Sequence, residues 1–304
     1  MNFPLITPGA RQFALSGRVL LVTFQGRMSL SRLSPVLFLL FGLLLSADGK
    51  SGIWPSSKIP PATDTTSARI LALHLASRGG ESPLWLVRSL RLEGTLQEGR
   101  RDFSITRTYR AVEALHETRE RQHLGWTYRS YRATDGSAAW ERDLLPEGSS
   151  IRKVSGLERD LLLLEAALPF LFLNYEEKGH RFVYRGEVRF AGRDAYLLHG
   201  YLAWGMEIDL HIDRRTFHIL NYRHPVRVAG EKVLADRMPL GLRKENGLWW
   251  ETGYDFRIRG ASFRTVRYTA FVLNPELPPA LFRPPESSGV WLRKQGVSRE
   301  AADR

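Results

Sequence analysis

The segment from Asn174 to Asn221, NYEEKGHRFVYRGEVRFAGRDAYLLHGYLAWGMEIDLHIDRRTFHILN, constrains the fold more than any other part of the chain. Short runs of alternating character are separated by compact turns. The clearest run places Met206, Ile208, Leu210 and Ile212 on one face and Glu207, Asp209, His211 and Asp213 on the other. A period of two defines a strand with one apolar and one wet face. Runs of this kind with no long helix between them predict an antiparallel sheet wrapped around an apolar interior.

The same pattern extends upstream. Leu90, Leu92, Gly94 and Leu96 alternate with polar residues, as do Phe103 and Ile105. Further strands are expected over 115–121, 126–133 and 138–142, with turns at Gly125 and Asp135-Gly136. Later turns fall at Gly192, Gly205, Asp213-Arg214, Gly230, Asn246-Gly247 and Gly260. The expected class is mainly β (α+β): a large curled antiparallel sheet or barrel of about 10–11 strands. An abundance of aromatic residues (8 Trp, 10 Tyr and 15 Phe) fits this class.

Two helices punctuate the strands. One starts at Thr66 or Ser67, carries Ile70, Leu71, Leu73 and Leu75, and ends at Gly79-Gly80. The other is inserted mid-sheet at GLERDLLLLEAALPFLF, Gly156 to Phe172, and is helical in composition up to Pro169. Its consecutive leucines from Leu161 to Leu164 cover more than one helix face. Such a helix is either buried on several sides or in contact with a ligand.

Val36 to Leu45 is an uninterrupted apolar run flanked by Arg27 and Arg32 and followed by Ser46-Ala47-Asp48. It is shorter than the ~20 residues that span a bilayer and fits the core of an export signal. Residues 1–47 are therefore read as a signal region, with Met28 as an alternative start; an uncleaved anchor is the rival reading. Residues 48–65 read as a Ser/Pro/Thr-rich linker, 66–286 as the folded domain and 287–304 as a polar tail. The net charge is +12, and the signal region contributes four arginines and no acid, which leaves +8 on the remainder. Arginines at alternate strand positions, such as Arg107, Arg119, Arg129 and Arg267, read as solvated strand faces, so nucleic acid is not the expected partner.

The chain has no cysteine, which excludes disulfides, thiolate metal sites, a cysteine nucleophile and a cysteine-linked lipid anchor. No dinucleotide-binding glycine fingerprint, nucleophile elbow or paired-histidine zinc motif occurs. His211 and Asp213 share a strand face, where a solvent-facing pair is the plain reading and a metal site the sharper one. No pair of acids is set apart for proton transfer. The chain is read as a non-enzyme without metal or cofactor, in which helices over a curled sheet enclose an apolar ligand cavity.

The residues also carry a resemblance. The segment LASRGGESPLWLVRSLRLEGTL (Leu75 to Leu96), the step Arg110-Ala111, the D-G-x-x-x-W set of Asp135, Gly136 and Trp140, and the YEEKGH turn from Tyr175 occur in order. Gly192, Ala195, Tyr196, Leu198, Ile212 and Asp213 follow, and the N-P-x-L-P-x-x-L-F-x-P-P closure runs from Asn274 to Pro285. In this order the chain, from Thr66 to Pro285, resembles the LolA/LolB superfamily of lipoprotein carriers, in particular LolA-like outer membrane lipoprotein-sorting proteins. The resemblance implies a half-open β-barrel with a helical lid, a periplasmic location and a chaperone-like role in lipoprotein transport and outer membrane biogenesis. Its cargo would be the acyl chains of lipoproteins or lipids, and envelope membrane proteins are possible partners. It also implies that Arg110 matches the arginine that holds the lid by hydrogen bonds to helix-end carbonyls; the plain alternative is a surface arginine. Arg110 is followed by alanine where the family has proline, and Lys232 to Arg243 departs from the family pattern. The expected cavity wall is Leu92, Phe103, Ile105, Tyr196, Leu198, Ile208 and Leu210, and the expected lid leucines are Leu161, Leu162, Leu164 and Leu168. A cavity of about 300–1,000 Å³ is usual for such a ligand. The alternative is a sensor or structural module of the same fold that binds a protein or lipid partner without transporting it.

Overall fold

A computed structural model describes residues 62–283, apart from 112, 124, 146 and 147. The residues read above as a signal region, most of those read as a linker and those read as a polar tail lie outside the described residues.

The chain begins with helix α1 (Thr65–Ser77) and a single turn, α2 (Glu81–Trp85). Asp64 caps α1 by accepting hydrogen bonds from the Ser67 amide at 2.9 Å and the Ser67 hydroxyl at 2.8 Å. The helix ends at Gly79, whose φ of +115° and close approach to the Gly247 carbonyl leave no room for a side chain: an added Cβ would lie 2.6 Å from that oxygen.

Six antiparallel strands follow in a meander: β1 (Ser89–Glu98), β2 (Arg101–Arg110), β3 (Ala114–His123), β4 (Trp126–Thr134), β5 (Ala139–Leu145) and β6 (Gly148–Val154). Helix α3 (Gly156–Ala167) and a 3-10 turn (Leu168–Phe170) lead to β7 (Arg181–Phe190), β8 (Arg193–Tyr201), β9 (Glu207–Asp213), β10 (Ile219–Val228) and β11 (Glu231–Pro239). A small hairpin, β12 (Leu242–Glu245) and β13 (Leu248–Glu251), precedes β14 (Gly253–Ile258) and the long β15 (Ala261–Leu273).

Thirteen of these strands form one sheet in the order β6-β5-β4-β3-β2-β1-β15-β14-β11-β10-β9-β8-β7. Every pairing is antiparallel, and β6 and β7 are its edges, so the sheet is not closed into a barrel. Helix α3 joins one edge to the other. It touches β3, β4 and β5 on one side and β10 on the other. Laid flat, β5 and β10 would be about 38 Å apart at the usual strand spacing. Twelve helical residues reach only about 18 Å. The sheet therefore curls until both halves meet the helix, which is the curled sheet expected from the strand pattern in the half-open form that the resemblance implies.

The core lies between the sheet and the helices. Leu198, Ile208, Leu210 and Ile212 are fully buried together with Leu71, Leu90, Ile105 and Leu164. The edge strand β7 is covered rather than left open. Thr63 Oγ1 accepts from the Phe182 amide at 3.1 Å and Asp64 Oδ2 from the Tyr184 amide at 2.8 Å.

The strand count exceeds the expected 10–11. β6 was not expected because six of its seven residues are exposed and carry no apolar alternation; backbone pairing with β5 alone makes it a strand. The hairpin β12–β13 forms at the expected Asn246-Gly247 turn, where both φ angles are positive (49° and 82°). It leaves the main sheet because Trp249 donates its amide to the Arg78 carbonyl at 2.9 Å. Leu248 and Trp250 are buried as a result.

Candidate functional site

A network of arginine and glutamate side chains joins α3 to the sheet beside the apolar core. A row of directly opposed residues runs across five strands: Arg107 on β2, Glu117 on β3, Arg132 on β4, Glu141 on β5 and Arg152 on β6. Charge alternates at every step, the arrangement that cross-strand pairs favour. Glu158 and Glu165 of α3 stand two turns apart on one helix face and complete the row from above.

Glu165 is the centre of this ion-pair network, a latch between α3 and the sheet. Its Oε2 accepts from Arg107 Nη2 at 3.0 Å and Arg132 Nη2 at 3.3 Å, and its Oε1 from Arg264 Nη2 of β15 at 2.6 Å. At the other end of the helix, Glu158 accepts from both terminal nitrogens of Arg152, at 2.9 and 2.7 Å. Arg152 also pairs with Glu141. Beneath Glu165, the fully buried Glu117 accepts from Arg107 Nε at 2.6 Å, Arg119 Nε at 2.7 Å and Arg132 Nη2 at 2.7 Å. Arg107, only 2% exposed, also donates to the Tyr254 and Tyr268 hydroxyls at 2.8 and 3.1 Å.

This network sets the charge states. Burial works against ionisation of Glu165, but Arg107, Arg264 and Arg132 outweigh it and lower its pKa to about 2. Burial likewise opposes the charge on Glu117, and the surrounding guanidinium groups hold it well below the usual carboxylate range. Both acids are therefore ionised at neutral pH. Burial pushes the Tyr109 hydroxyl up to about 12 and the His74 imidazole down to about 3, so both are neutral there.

Beside the latch lies a cavity of about 50 Å³. It is far smaller than the usual 300–1,000 Å³ of a ligand pocket. Its wall is mixed: Leu90, Leu92 and Leu168 face Arg78, Arg237 and Glu251. Arg78, the residue after α1, donates from Nη1 to the Pro169 carbonyl at 3.0 Å and from Nε to the Trp249 carbonyl at 3.2 Å. It therefore ties α1 to the end of the inserted helix and to the β12–β13 hairpin. Lys178 holds the next carbonyl in that turn, Phe170, at 2.8 Å.

The residues expected at the site are distributed as follows. Leu92 and Leu168 line the cavity. Phe103, Ile105, Leu198, Ile208 and Leu210 belong to the buried core, and Tyr196 is half-buried against it. Leu162 and Leu164 are buried and Leu161 half-buried, so α3 is apolar on several sides because it is enclosed on several sides. Arg110 lies at the end of β2, against the closing turn that holds Phe282. Its guanidinium lies 4.9 Å over the Phe282 ring, and among the described residues no hydrogen bond is seen from it to a helix-end carbonyl. Arg78 makes that bond instead.

The arginine pattern also needs correction. Arg129 and Arg267 are solvated as expected, but Arg107 and Arg119 turn inward. His211 and Asp213 are buried rather than solvent-facing. His211 stacks on Phe190 with ring centres 4.3 Å apart, and Asp213 caps the following turn and pairs with Arg193 at 2.7 Å. Among the described residues no group of three or more His, Cys, Asp or Glu side chains is placed to hold a metal ion. No helix among them is long and apolar enough to cross a membrane.

No protein-family description matches the sequence, and no curated protein matches it. Solved structures do. A domain described as an outer membrane lipoprotein-sorting protein from Vibrio parahaemolyticus is similar at 12% identity, covering 71% of this chain and 95% of its own, with a TM-score of 0.48. A LolA superfamily protein from Nitrosomonas europaea is similar at 12% identity, 71% and 96% coverage and a TM-score of 0.48. A DUF1329 family protein from Desulfovibrio piger follows at 14% identity, 71% and 96% coverage and a TM-score of 0.43.

Proposed function

We propose that the protein is an exported, non-enzymatic binder of acyl chains, acting in the periplasm on lipoproteins or lipids. The observation that carries this reading is the inserted helix. Helix α3 bridges the two halves of a half-open sheet, from β3–β5 to β10, and is fastened at both ends by ion pairs, beside a core of leucine and aromatic side chains. Ion pairs are suited to a reversible closure, because their partners regain water when the helix lifts, whereas exposed leucines need a replacement apolar surface. An acyl chain supplies that surface. Lifting α3 would expose Leu162 and Leu164 and the part of the core they cover, and would enlarge the 50 Å³ cavity that Leu168 lines. The order of sequence motifs shared with LolA-like carriers supports the same reading.

The small size of the cavity favours a second reading, a module that binds a protein or lipid partner without carrying cargo. Native mass spectrometry of the protein purified from its own envelope separates the two. A co-purifying acylated species of defined mass supports the carrier. A bare chain, or one recovered only with a non-acylated protein, supports the module and overturns the carrier.

A further inference from the structure

The wall of the cavity carries unbalanced charge. Arg78, Arg107 and Arg237 line it against Glu165 and Glu251, while its two histidines, His74 and His218, have their pKa values lowered by burial. The lining therefore has one positive charge in excess. The excess is assigned to Arg78, because Arg107 pairs with Glu117 and Glu165, and Arg237 with Glu251 at 2.7 Å. Among the described residues Arg78 hydrogen-bonds to carbonyl oxygens and lies against the Trp250 ring, 5.1 Å from its guanidinium carbon, with the already paired Glu251 as the nearby acid that favours its charge. A half-buried guanidinium with no carboxylate hydrogen-bonded to it is a ready partner for an incoming anion. Two further donors on the wall are buried without a partner, Trp250 Nε1 and Arg237 Nε. Trp250 is 3% and Arg237 7% exposed, so neither is satisfied by bulk water. Next to these groups the wall turns apolar at Leu90, Leu92 and Leu168, and Leu168 closes the end of α3.

We propose that this cavity seats the oxyanion head group of an amphiphile, a carboxylate or phosphate bearing one negative charge, with its chain leaving past Leu168 under α3. The site rests on the acyl-binding reading above and adds the chemistry of the head. Glu165, Glu251 and the neutral His74 acceptor at Nε2 limit the head to a single charge. Fixed donors beside an apolar exit distinguish an acid from an alcohol of equal chain length.

The test compares dodecanoate, dodecanol, acetate and inorganic phosphate on the mature chain at pH 7, read by calorimetry and by the fluorescence of Trp249 and Trp250, which line the cavity. The expected result is dodecanoate binding about tenfold or more tightly than dodecanol, the ratio that one charge-assisted hydrogen bond supplies. Acetate and phosphate are expected to bind far more weakly than dodecanoate. Trp250→Phe keeps the ring and removes the Nε1 donor, and Arg78→Lys keeps the charge and removes the fork; each should narrow the preference for acid over alcohol. Equal affinities for acid and alcohol overturn the head-group site and leave acyl binding standing. Acetate or phosphate binding as tightly as dodecanoate overturns it in favour of a free-anion site. Binding of neither amphiphile overturns both readings.

Discussion

Replacing Glu165 by glutamine tests whether the latch is electrostatic. The substitution keeps the shape of the side chain and removes the charge that meets Arg107, Arg132 and Arg264 at 3.0, 3.3 and 2.6 Å. Arg107 and Arg132 retain Glu117, but Arg264 is left without a carboxylate. Lowering a carboxyl pKa from 4.5 to about 2 corresponds to about 3 kcal/mol of preference for the ionised form in the folded state. That agrees with the roughly 3–5 kcal/mol lost when one partner of a buried ion pair is removed. Urea unfolding of the wild type and Glu165→Gln at pH 7 should therefore differ by about 3 kcal/mol. The pH dependence has a definite sign. The folded pKa is depressed, so the contribution is fully present above the unfolded value of 4.5 and is lost as pH falls through about 2. The gap between wild type and variant should hold from pH 8 to 5 and shrink below that. Hydrogen exchange across 156–170 should rise in the variant by more than exchange in β8 or β9, because the helix lifts before the sheet opens. A gap below about 1 kcal/mol, or one that does not change between pH 5 and pH 3, would refute the latch.

Other outcomes follow from single contacts. Gly94→Ala places a Cβ 1.9 Å from the Arg267 carbonyl at the bulge where β1 pairs with β15; thermal unfolding should show a loss of about 2–3 kcal/mol. Arg110→Leu should cost less than about 1 kcal/mol, the value of a cation–π contact with Phe282, and should leave exchange across α3 unchanged. His199 Nδ1 lies 2.6 Å from Asp209 Oδ1, and this hydrogen bond raises the histidine pKa above 6.5. Its stabilisation is therefore complete below pH 6.5 and fades as pH rises through the folded value, so the stability difference between wild type and Asp209→Asn should be larger at pH 6 than at pH 9.

Much of the fold is legible in the sequence because strand alternation is a local property. The run from Met206 to Asp213 reads as a strand with Ile208, Leu210 and Ile212 turned to the core, and so it is. The leucines of α3 signal enclosure on several sides, and Asn246-Gly247 signals a hairpin. The latch was not legible. Alternation shows that Arg107 and Ile105 share a face and that Glu117 and Arg119 share another, but the register that sets Arg107 opposite Glu117 is a non-local fact. Charged residues at alternate positions read as solvent-facing unless a partner helix is known to cover them, and Glu165 lies 48 positions beyond Glu117 in the chain. His211 and Asp213 misled for the same reason: β9 is buried on both faces at its end, where Phe190 and the following turn cover the nominally wet side. A sequence signal did exist for the ion-pair network in Glu165, an acid set between Leu164 and Ala166 in the apolar half of the helix, which burial there tolerates only with cations opposite.

The most direct test of an acyl-binding role beneath α3 is amide hydrogen exchange of the wild-type protein with and without saturating dodecanoate. The expected result is a change concentrated in 156–173 and in the strands it touches, β3 to β5 and β10, with the edge at β7 and β8 unaffected. Saturable binding with no change across α3, or a change confined to β7 and β8, would contradict a chain held under the helix.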